Sequence, residues 1–271
     1  MKKIFVMILL LPLFSCNDWL NVESEKSVTF LNFFKSEQDL ESTLISMFGY
    51  EKRVCAWTLR AFDYTGLPCD GLQEQEGYRE LDPGSFWNLK NQEYWGLQYN
   101  AIYLANLLED NRFRFENVSE TRADYWIAQA NFIKAYMYFD LARNWGDVPL
   151  APGTESLNAI AKSPVDTILG EAIRCAEKAL ILPTYDQLTD ASGNHVTSKQ
   201  YASLGTVHTL LANIYAWMGG LYNKQEYWEK AEEYASLVID GKVGVYGLEN
   251  TIEDMLEKTL GPSRNSVETI F

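Results

Sequence analysis

The residue with the most readily identified chemistry is a cysteine near the start of the chain. Two lysines precede an apolar run from Ile4 to Leu11, which has the length of a signal-peptide core but is too short to span a bilayer. Leu13-Phe14-Ser15-Cys16 then resembles a lipobox, in which a small residue precedes a cysteine whose thiol accepts diacylglycerol before cleavage. We expect residues 1–15 to be a lipoprotein signal peptide and Cys16 to be the lipidated first residue. The alternative is an ordinary secretory signal with an incidental cysteine.

A second group of side chains with chemical potential lies between Trp57 and Asn88. Glycine and proline are dense in this span, and no hydrophobic period runs through it. Long irregular segments inside a compact domain are uncommon and tend to be functional. The span carries carboxylate, phenol, guanidinium and indole groups, including those of Asp70, Tyr78, Arg79 and Trp87. We interpret it as the ligand-binding segment.

The sequence lacks the usual motifs of catalysis. It contains no Gly-x-Ser-x-Gly elbow, no His-Glu-x-x-His, no phosphate-cradling glycine loop and no Cys-x-x-Cys pair. Carboxylates are abundant, so counting does not exclude a glycosidase-like acid and base pair, but nothing singles out two of them. His208 is expected to be a hydrogen-bonded packing residue, and His195 an exposed loop residue. We predict a protein that is not an enzyme and that uses neither a cofactor nor a metal.

One loop has the alternating oxygen groups of a calcium site. Asp190, Ser192 and Asn194 alternate as they do in such loops, but the terminal glutamate of the twelve-residue pattern is missing. A plain turn is therefore the favoured interpretation.

Composition limits the class of partner. The chain has 271 residues with 47% hydrophobic content, enough for a sizeable core, and a formal net charge of −14. That charge opposes binding to phosphate backbones, so nucleic acid is not an expected partner. Aromatic residues make up 14% and suit a core, an interface or a ligand platform equally well.

The element on which the rest of the chain depends is a predicted helix from Arg122 to Trp145. Small alanines alternate there with large rings at three- and four-residue steps, a pattern typical of a helix packed on two sides. Thr121 and Asp124 have capping-box spacing at its start, and Gly146 can end it in a left-handed conformation.

Other helices are predicted along the chain, at 36–49 (ended by Gly49), 92–110, 165–182, 198–218 and 226–240. The last two approach the small-and-aromatic spacing of a tetratricopeptide repeat. The predicted fold class is mainly all-α, a degenerate array of tetratricopeptide-like helical hairpins with long irregular loops. A tether at 16–35 would precede one helical domain at 36–271.

The central helix also carries a resemblance. Gln129 to Leu141, followed by Arg143-Asn144-Trp145-Gly146-Asp147-Val148-Pro149-Leu150, resembles the central signature of the SusD/RagB family of outer-membrane lipoproteins. The family more often has Leu-Arg at Ile133-Lys134 and Tyr or Phe at Trp145, changes that keep the chemistry. Softer matches precede it at Trp95, Tyr99, Ile102, Ala105 and Asn106.

The resemblance implies an α-rich lipoprotein, anchored in the outer membrane through its lipid and exposed at the cell surface. Such a protein captures oligosaccharide and delivers it to a SusC-like, TonB-dependent porin. Capture is implied to use aromatic faces that stack on sugar rings, with amides, carboxylates and arginine bonding to hydroxyls. On this basis Tyr78, Arg79, Trp87 and Asn88 are expected to contact the ligand, with Asp70 accepting from a hydroxyl. Core packing is the alternative role for Trp87.

Other functions stay open at this stage. A peptide receptor like RagB is one, and a repeat scaffold that binds other envelope proteins is another. The segment from Ser266 to Phe271 resembles a mid-chain part of the family, so a truncated, non-functional fragment is a third. Cys175 is expected in the core, whereas a disulfide between Cys55 and Cys69 is left undecided.

Overall fold

The computed structural model describes residues 33–65, 95–154, 158–196, 199–260 and 266–271. Its helices are α1 (Glu37–Thr65), α2 (Gly96–Asp110), α3 (Glu120–Trp145), α4 (Val165–Lys178), α5 (Leu204–Tyr222), α6 (Gln225–Ile239) and α7 (Ile252–Met255). Single turns of 3-10 helix lie at Arg112–Arg114, Ala179–Ile181 and Tyr185–Gln187, and a π-helical turn at Leu256–Leu260 continues α7. Two short strands, β1 (Val148–Pro149) and β2 (Lys162–Ser163), pair antiparallel. The predicted mainly α-helical class is confirmed.

Helix α3 is the centre of the fold. It packs against α1, α2, α4 and α5. Large rings such as Trp126, Phe132 and Tyr138 are buried along it, while Ala128 and Ala135 between them let the neighbouring backbones approach. The prediction of a helix packed on two sides is confirmed.

The two ends of α3 differ in how well they were predicted. Gly146 adopts a left-handed φ of 69°, and its N–H donates to the carbonyl of Ala142, as expected. The N-cap, however, is Ser119, whose hydroxyl accepts from the amide of Arg122, and not Thr121. Both residue types can cap a helix, and only the extended backbone at Ser119 decides between them.

Helix α1 extends beyond its predicted end. Gly49 does not stop it, because the glycine sits in helical conformation with open space around it and costs only about 1 kcal/mol relative to alanine. Burial of Met47 before it and of Val54 after it favours continuation. The prediction of an irregular segment from Trp57 is therefore wrong as far as Thr65, where the helix ends, and the rest of that segment lies outside the described residues.

The last helical hairpin is displaced from its predicted start. Helix α5 begins after a capping box between Ser203 and Thr206, whereas the sequence suggested 198. It ends at Asn223 in a left-handed conformation and runs through Gly219 and Gly220 without a break. The tetratricopeptide-like pairing of α5 with α6 is confirmed.

An arginine joins the start of α3 to its surroundings. Arg122 Nε lies 2.7 Å from Glu37 Oε2 on α1, and its Nη1 donates to Thr189 Oγ1 at 2.9 Å. Its guanidinium carbon is 4.4 Å from the ring centroid of Tyr125. Trp126 Nε1 donates to the same Glu37 carboxylate at 3.0 Å. Two helices and the 185–196 loop are thereby fixed at one point.

That loop is a plain turn, as favoured from the sequence. Asp190 Oδ1 accepts from the amides of Ser192 and Asn194, both at 2.8 Å, so this carboxylate oxygen is engaged by its own backbone. These bonds hold the pKa of Asp190 below its usual value, with the amide of Asn194 as the largest cause. Across the described ranges, no group of three or more His, Cys, Asp or Glu side chains is arranged to hold a metal ion.

A partly buried cluster of one glutamate and two lysines connects α2, α3 and α4. Glu109 bonds to Lys134 at 2.9 Å and to Lys178 at 2.6 Å, and Asn131 donates to it at 3.2 Å. Burial acts to raise the pKa of Glu109, but the charge of Lys134 and the hydrogen bonds to both lysines and Asn131 outweigh burial and lower it to about 2. The carboxylate is thus charged throughout the physiological range.

Smaller expectations about single residues were also met. Cys175 is fully buried, and burial raises the pKa of its thiol to about 12. His208 is buried with its Nδ1 2.9 Å from the carbonyl oxygen of Leu204, and His195 is exposed. Cys69 lies outside the described residues, so a disulfide between it and Cys55 stays undecided. Within the described ranges, every helix is too short or too polar to cross a membrane.

Gln129 allows the contribution of a buried hydrogen-bonded side chain to the stability of the core to be measured. Its side chain is fully buried and pairs with the backbone of Ala202 at both ends, donating to the carbonyl at 2.8 Å and accepting from the amide at 2.9 Å. Gln129→Leu leaves both groups unpaired, so we expect a loss of about 2–4 kcal/mol in the free energy of unfolding, measured by chemical denaturation. The exposed Gln187→Leu serves as control and should change stability by less than about 0.5 kcal/mol. Equal effects would contradict this role.

Candidate functional site

The residues that the sequence analysis predicts to be functional are not among those that the structure describes. Cys16, Asp70, Tyr78, Arg79, Trp87 and Asn88 all lie outside the described residues. Their roles therefore stay predictions. The described part of the chain resumes at Trp95, directly before α2.

A polar cluster lies close to that point, where α3 emerges from the core. Gln98, in the first turn of α2, donates from Nε2 to Asp140 Oδ2 at 2.9 Å. Asn144 donates from Nδ2 to Asp140 Oδ1 at 2.9 Å. Burial raises the pKa of Asp140, and the bond from Gln98 is the largest of the effects that oppose it. The carboxylate is held in one orientation by two amide side chains.

A second carboxyl from α1 adjoins this cluster. Burial raises the pKa of Glu51 to about 7. Tyr136 on α3 also has a raised pKa, first through burial and then through its electrostatic interactions with the acidic groups of Cys55, Glu51 and Asp140. The pKa of the Cys55 thiol is raised by desolvation and next by Glu51, which disfavours a reactive thiolate. This end of the bundle therefore resists further negative charge.

An exposed indole completes the surface. Trp217 on α5 is 41% exposed. The guanidinium carbon of Arg143, on the last turn of α3, lies 5.3 Å from its ring centroid and 5.3 Å from that of Phe139. Arg143 therefore makes cation–π contacts with both rings, and these contacts fix its position. We name the residues Asp140, Arg143, Asn144 and Trp217 the α3-end site.

The α3-end site combines the flat, apolar indole ring of Trp217 with side chains that donate and accept hydrogen bonds. Such a combination suits a ligand that has both an apolar face and many hydroxyls. The sequence did not single out these residues as a site. The spacing of Asp140, Arg143 and Asn144 at three and four residues places them on one face of a helix and was a usable signal. Nothing local indicated that Trp217 would join them.

Comparison with known proteins gives a consistent result. A family model described as "Starch-binding associating with outer membrane", of the SusD-like type, matches residues 18–204. SusD-like protein P2 of Formosa agariphila is 26% identical over 255 residues, which cover 89% of this chain and 46% of the relative. SusD-like protein P25 of the same organism is 21% identical over 181 residues, 61% of this chain and 34% of the relative. The chain thus spans less than half the length of these relatives.

Solved structures agree on the fold. A SusD superfamily protein of Bacteroides thetaiotaomicron superposes with a TM-score of 0.66 at 19% identity, covering 87% of this chain and 55% of that one. A SusD superfamily protein of Parabacteroides distasonis gives a TM-score of 0.54 at 25% identity, covering 67% and 38%. The helical arrangement described above is therefore shared with these proteins.

The raised pKa of Glu51 predicts a pH-dependent stability. Its folded pKa of about 7 exceeds its ordinary value of 4.5, so its contribution is complete below pH 4.5 and is lost as pH rises through 7. Glu51→Gln removes the cost of the buried charge, so we expect the melting temperature to rise by about 2–4 °C at pH 8 and to change little at pH 5. The exposed Glu232→Gln on α6 is the control. A shift for Glu51→Gln that is equal at both pH values would contradict the prediction.

Proposed function

The chain belongs to the SusD-like family, and on that premise we propose that it is a cell-surface lipoprotein which captures oligosaccharide and passes it to a SusC-like, TonB-dependent transporter. The family description supports carbohydrate binding and association with the outer membrane. The oligosaccharide, the transporter and the lipid anchor are parts of our proposal.

The observation that carries the proposal is the α3-end site. Trp217 presents an exposed indole whose orientation is fixed by Arg143. Sugar rings have apolar faces of C–H groups, which an indole face can cover, and hydroxyls around their edges. Asp140 and Asn144 lie one helical turn or less from Arg143 and supply an acceptor and an amide at those edges.

We propose that the segment predicted from the sequence contributes the rest of the ligand contacts. The described part of the chain resumes after it at Trp95, and the first turn of α2 places Gln98 against Asp140. Tyr78, Arg79, Trp87 and Asn88, with Asp70 as an acceptor, are our candidates within it. We propose capture without bond cleavage.

Affinity electrophoresis tests the capture of glycans. Purified protein should be retarded in native gels that contain one of a panel of neutral polysaccharides, namely starch, laminarin, xylan and galactomannan. Trp217→Ala and Trp87→Ala should each reduce the retardation, because each removes one stacking surface, and we expect about a tenfold loss of affinity.

The matched control is Phe113→Ala. This ring is 84% exposed in the turn before α3, at the opposite end of that helix from the α3-end site, and its removal should leave retardation unchanged. No retardation of the wild type in any gel would remove the glycan proposal. Binding of a peptide library in its place would favour the RagB-like receptor.

Lipidation at Cys16 is tested separately. In a bacterial host fed an alkyne-tagged fatty acid, the wild-type chain should become labelled and sediment with outer membranes, because the thiol is the only site of diacylglycerol transfer that we propose. Cys16→Ala should abolish both outcomes, whereas Cys55→Ala should preserve them. Label that persists in Cys16→Ala would refute the anchor.

A further inference from the structure

A buried glutamine of α2 bonds to the carboxylate of the α3-end site. Gln98 is only 2% exposed, and its Nε2 donates to Oδ2 of Asp140 at 2.9 Å. The other carboxylate oxygen, Oδ1, accepts from the exposed Asn144 at 2.9 Å. An ionised carboxylate can only accept hydrogen bonds, so an amide donor on each of its oxygens fits the charged form of Asp140.

Packing alone does not explain a glutamine at this position. The side-chain oxygen of Gln98 is buried, and among the residues that the structure describes none donates a hydrogen bond to it. A buried acceptor without a donor costs about 1–3 kcal/mol, and an apolar side chain of the same length avoids that cost. The group of this side chain that does have a partner is its NH2, and the partner is Asp140.

The first turn of α2 is also fixed independently of this bond. The hydroxyl of Tyr99 donates to the carbonyl of Pro149, just beyond the end of α3, at 2.6 Å. Burial raises the pKa of Tyr99 to about 12, so this hydroxyl keeps its proton at neutral pH. The rings of Trp95 and Tyr99 meet edge to face, with 6.1 Å between their centroids. The backbone that carries Gln98 is therefore held at the end of α3 by contacts other than its own.

The bond from Gln98 has a large effect on the charge of Asp140. Burial raises the pKa of Asp140, and this bond is the largest of the effects that lower it, ahead of the charge of Arg143 and the bond from Asn144. Both of those other residues are exposed. The remaining titratable groups beside Asp140 are acidic, namely Tyr136 on α3, Cys55 on α1, and Glu51 on α1, which interacts with the other two.

We propose that Gln98 is a positioning residue of the α3-end site, which keeps Asp140 ionised and oriented to accept a hydrogen bond from a hydroxyl of the ligand. This inference rests on the proposed capture of a ligand rich in hydroxyls, and it adds the residue that controls the charge of one acceptor. An ionised carboxylate binds a hydroxyl more strongly than a protonated one does. It also disfavours an anionic group at the same point, because like charges repel.

Carbon-13 NMR of the aspartate carboxyls tests this control without any ligand. The signal of Asp140 is identified by its loss in Asp140→Asn. Gln98→Met removes the donor and keeps a side chain of similar length, so the proton affinity of Asp140 should increase about tenfold, seen as a titration displaced to higher pH.

The matched control is Asn106→Leu. Asn106 is another buried amide of α2, 3% exposed, and its Nδ2 has no hydrogen-bond partner in the described part of the chain. It lies eight residues after Gln98, about 12 Å along the helix. Loss of this amide should leave the titration of Asp140 unchanged.

A second variant applies if Gln98→Met does not fold. Gln98→Glu keeps the shape of the side chain and places two carboxyls side by side, which share one proton because both cannot easily be charged. That shared proton should be released at a higher pH than the proton of Asp140 in the wild type.

The pH dependence of binding provides the second measurement. For whichever polysaccharide of the panel retards the protein, wild-type affinity should fall as pH decreases through the titration of Asp140. In Gln98→Met the fall should occur at higher pH, whereas Asn106→Leu should follow the wild type. Melting temperatures of both variants separate these effects from loss of folding.

The outcomes are distinct. Displaced titration and displaced binding in the Gln98 variant, but not in Asn106→Leu, support the inference. An unchanged titration of Asp140, or a displaced titration with an unchanged pH dependence of binding, would overturn it and leave the proposed function standing. Failure of the wild type to bind any polysaccharide of the panel would overturn the proposed function, and with it the role of Gln98 towards a ligand, whatever the titration shows.

Discussion

The burial of α3 on nearly all of its sides is the constraint on which the structure depends. Apart from its two ends, almost every side chain of this helix from Ala128 to Ala142 is enclosed by α1, α2, α4 or α5. A helix in that position contacts its neighbours through small residues and rings, and any polar group within it needs a partner. Gln129 and Lys134 meet that requirement through Ala202 and Glu109.

The same constraint decides where chemistry is available on α3. Polar side chains of this helix reach solvent only at its ends. The first turn is occupied by the Arg122 and Glu37 pair, which is structural. The last turns carry Asp140, Arg143 and Asn144, and there the neighbouring groups are Gln98 of α2 and the half-exposed Trp217 of α5. The contrast between Glu109, whose pKa is lowered to about 2 by two lysines, and Asp140, whose pKa is raised by burial, shows that the two carboxyls serve different environments.

Aromatic residues have two different roles in the hairpin of α5 and α6. Its inner face is a stack of tyrosines that hold the two helices together. The buried Gly219 of α5 also faces α6, and its missing side chain lets Trp228 lie against the backbone of α5. The tyrosines therefore determine how the two helices pack, whereas the exposed tryptophans form part of the protein surface. The two groups alternate along the same few turns of helix.

Local sequence patterns determined the helical class, the central position of α3, its termination at Gly146, the buried state of Cys175 and the turn at Asp190, because each depends on spacing within a few residues. They also carried the family resemblance. The tertiary structure alone decided that α1 continues past Gly49, that Ser119 and not Thr121 caps α3, and that Arg143 stacks on Trp217 to form a site. The choice of Ser119 as the cap depends on its extended backbone. The continuation of α1 and the contact of Arg143 with Trp217 depend on residues far apart in the chain, and the free energy of such contacts exceeds the weak local preferences that a sequence pattern records.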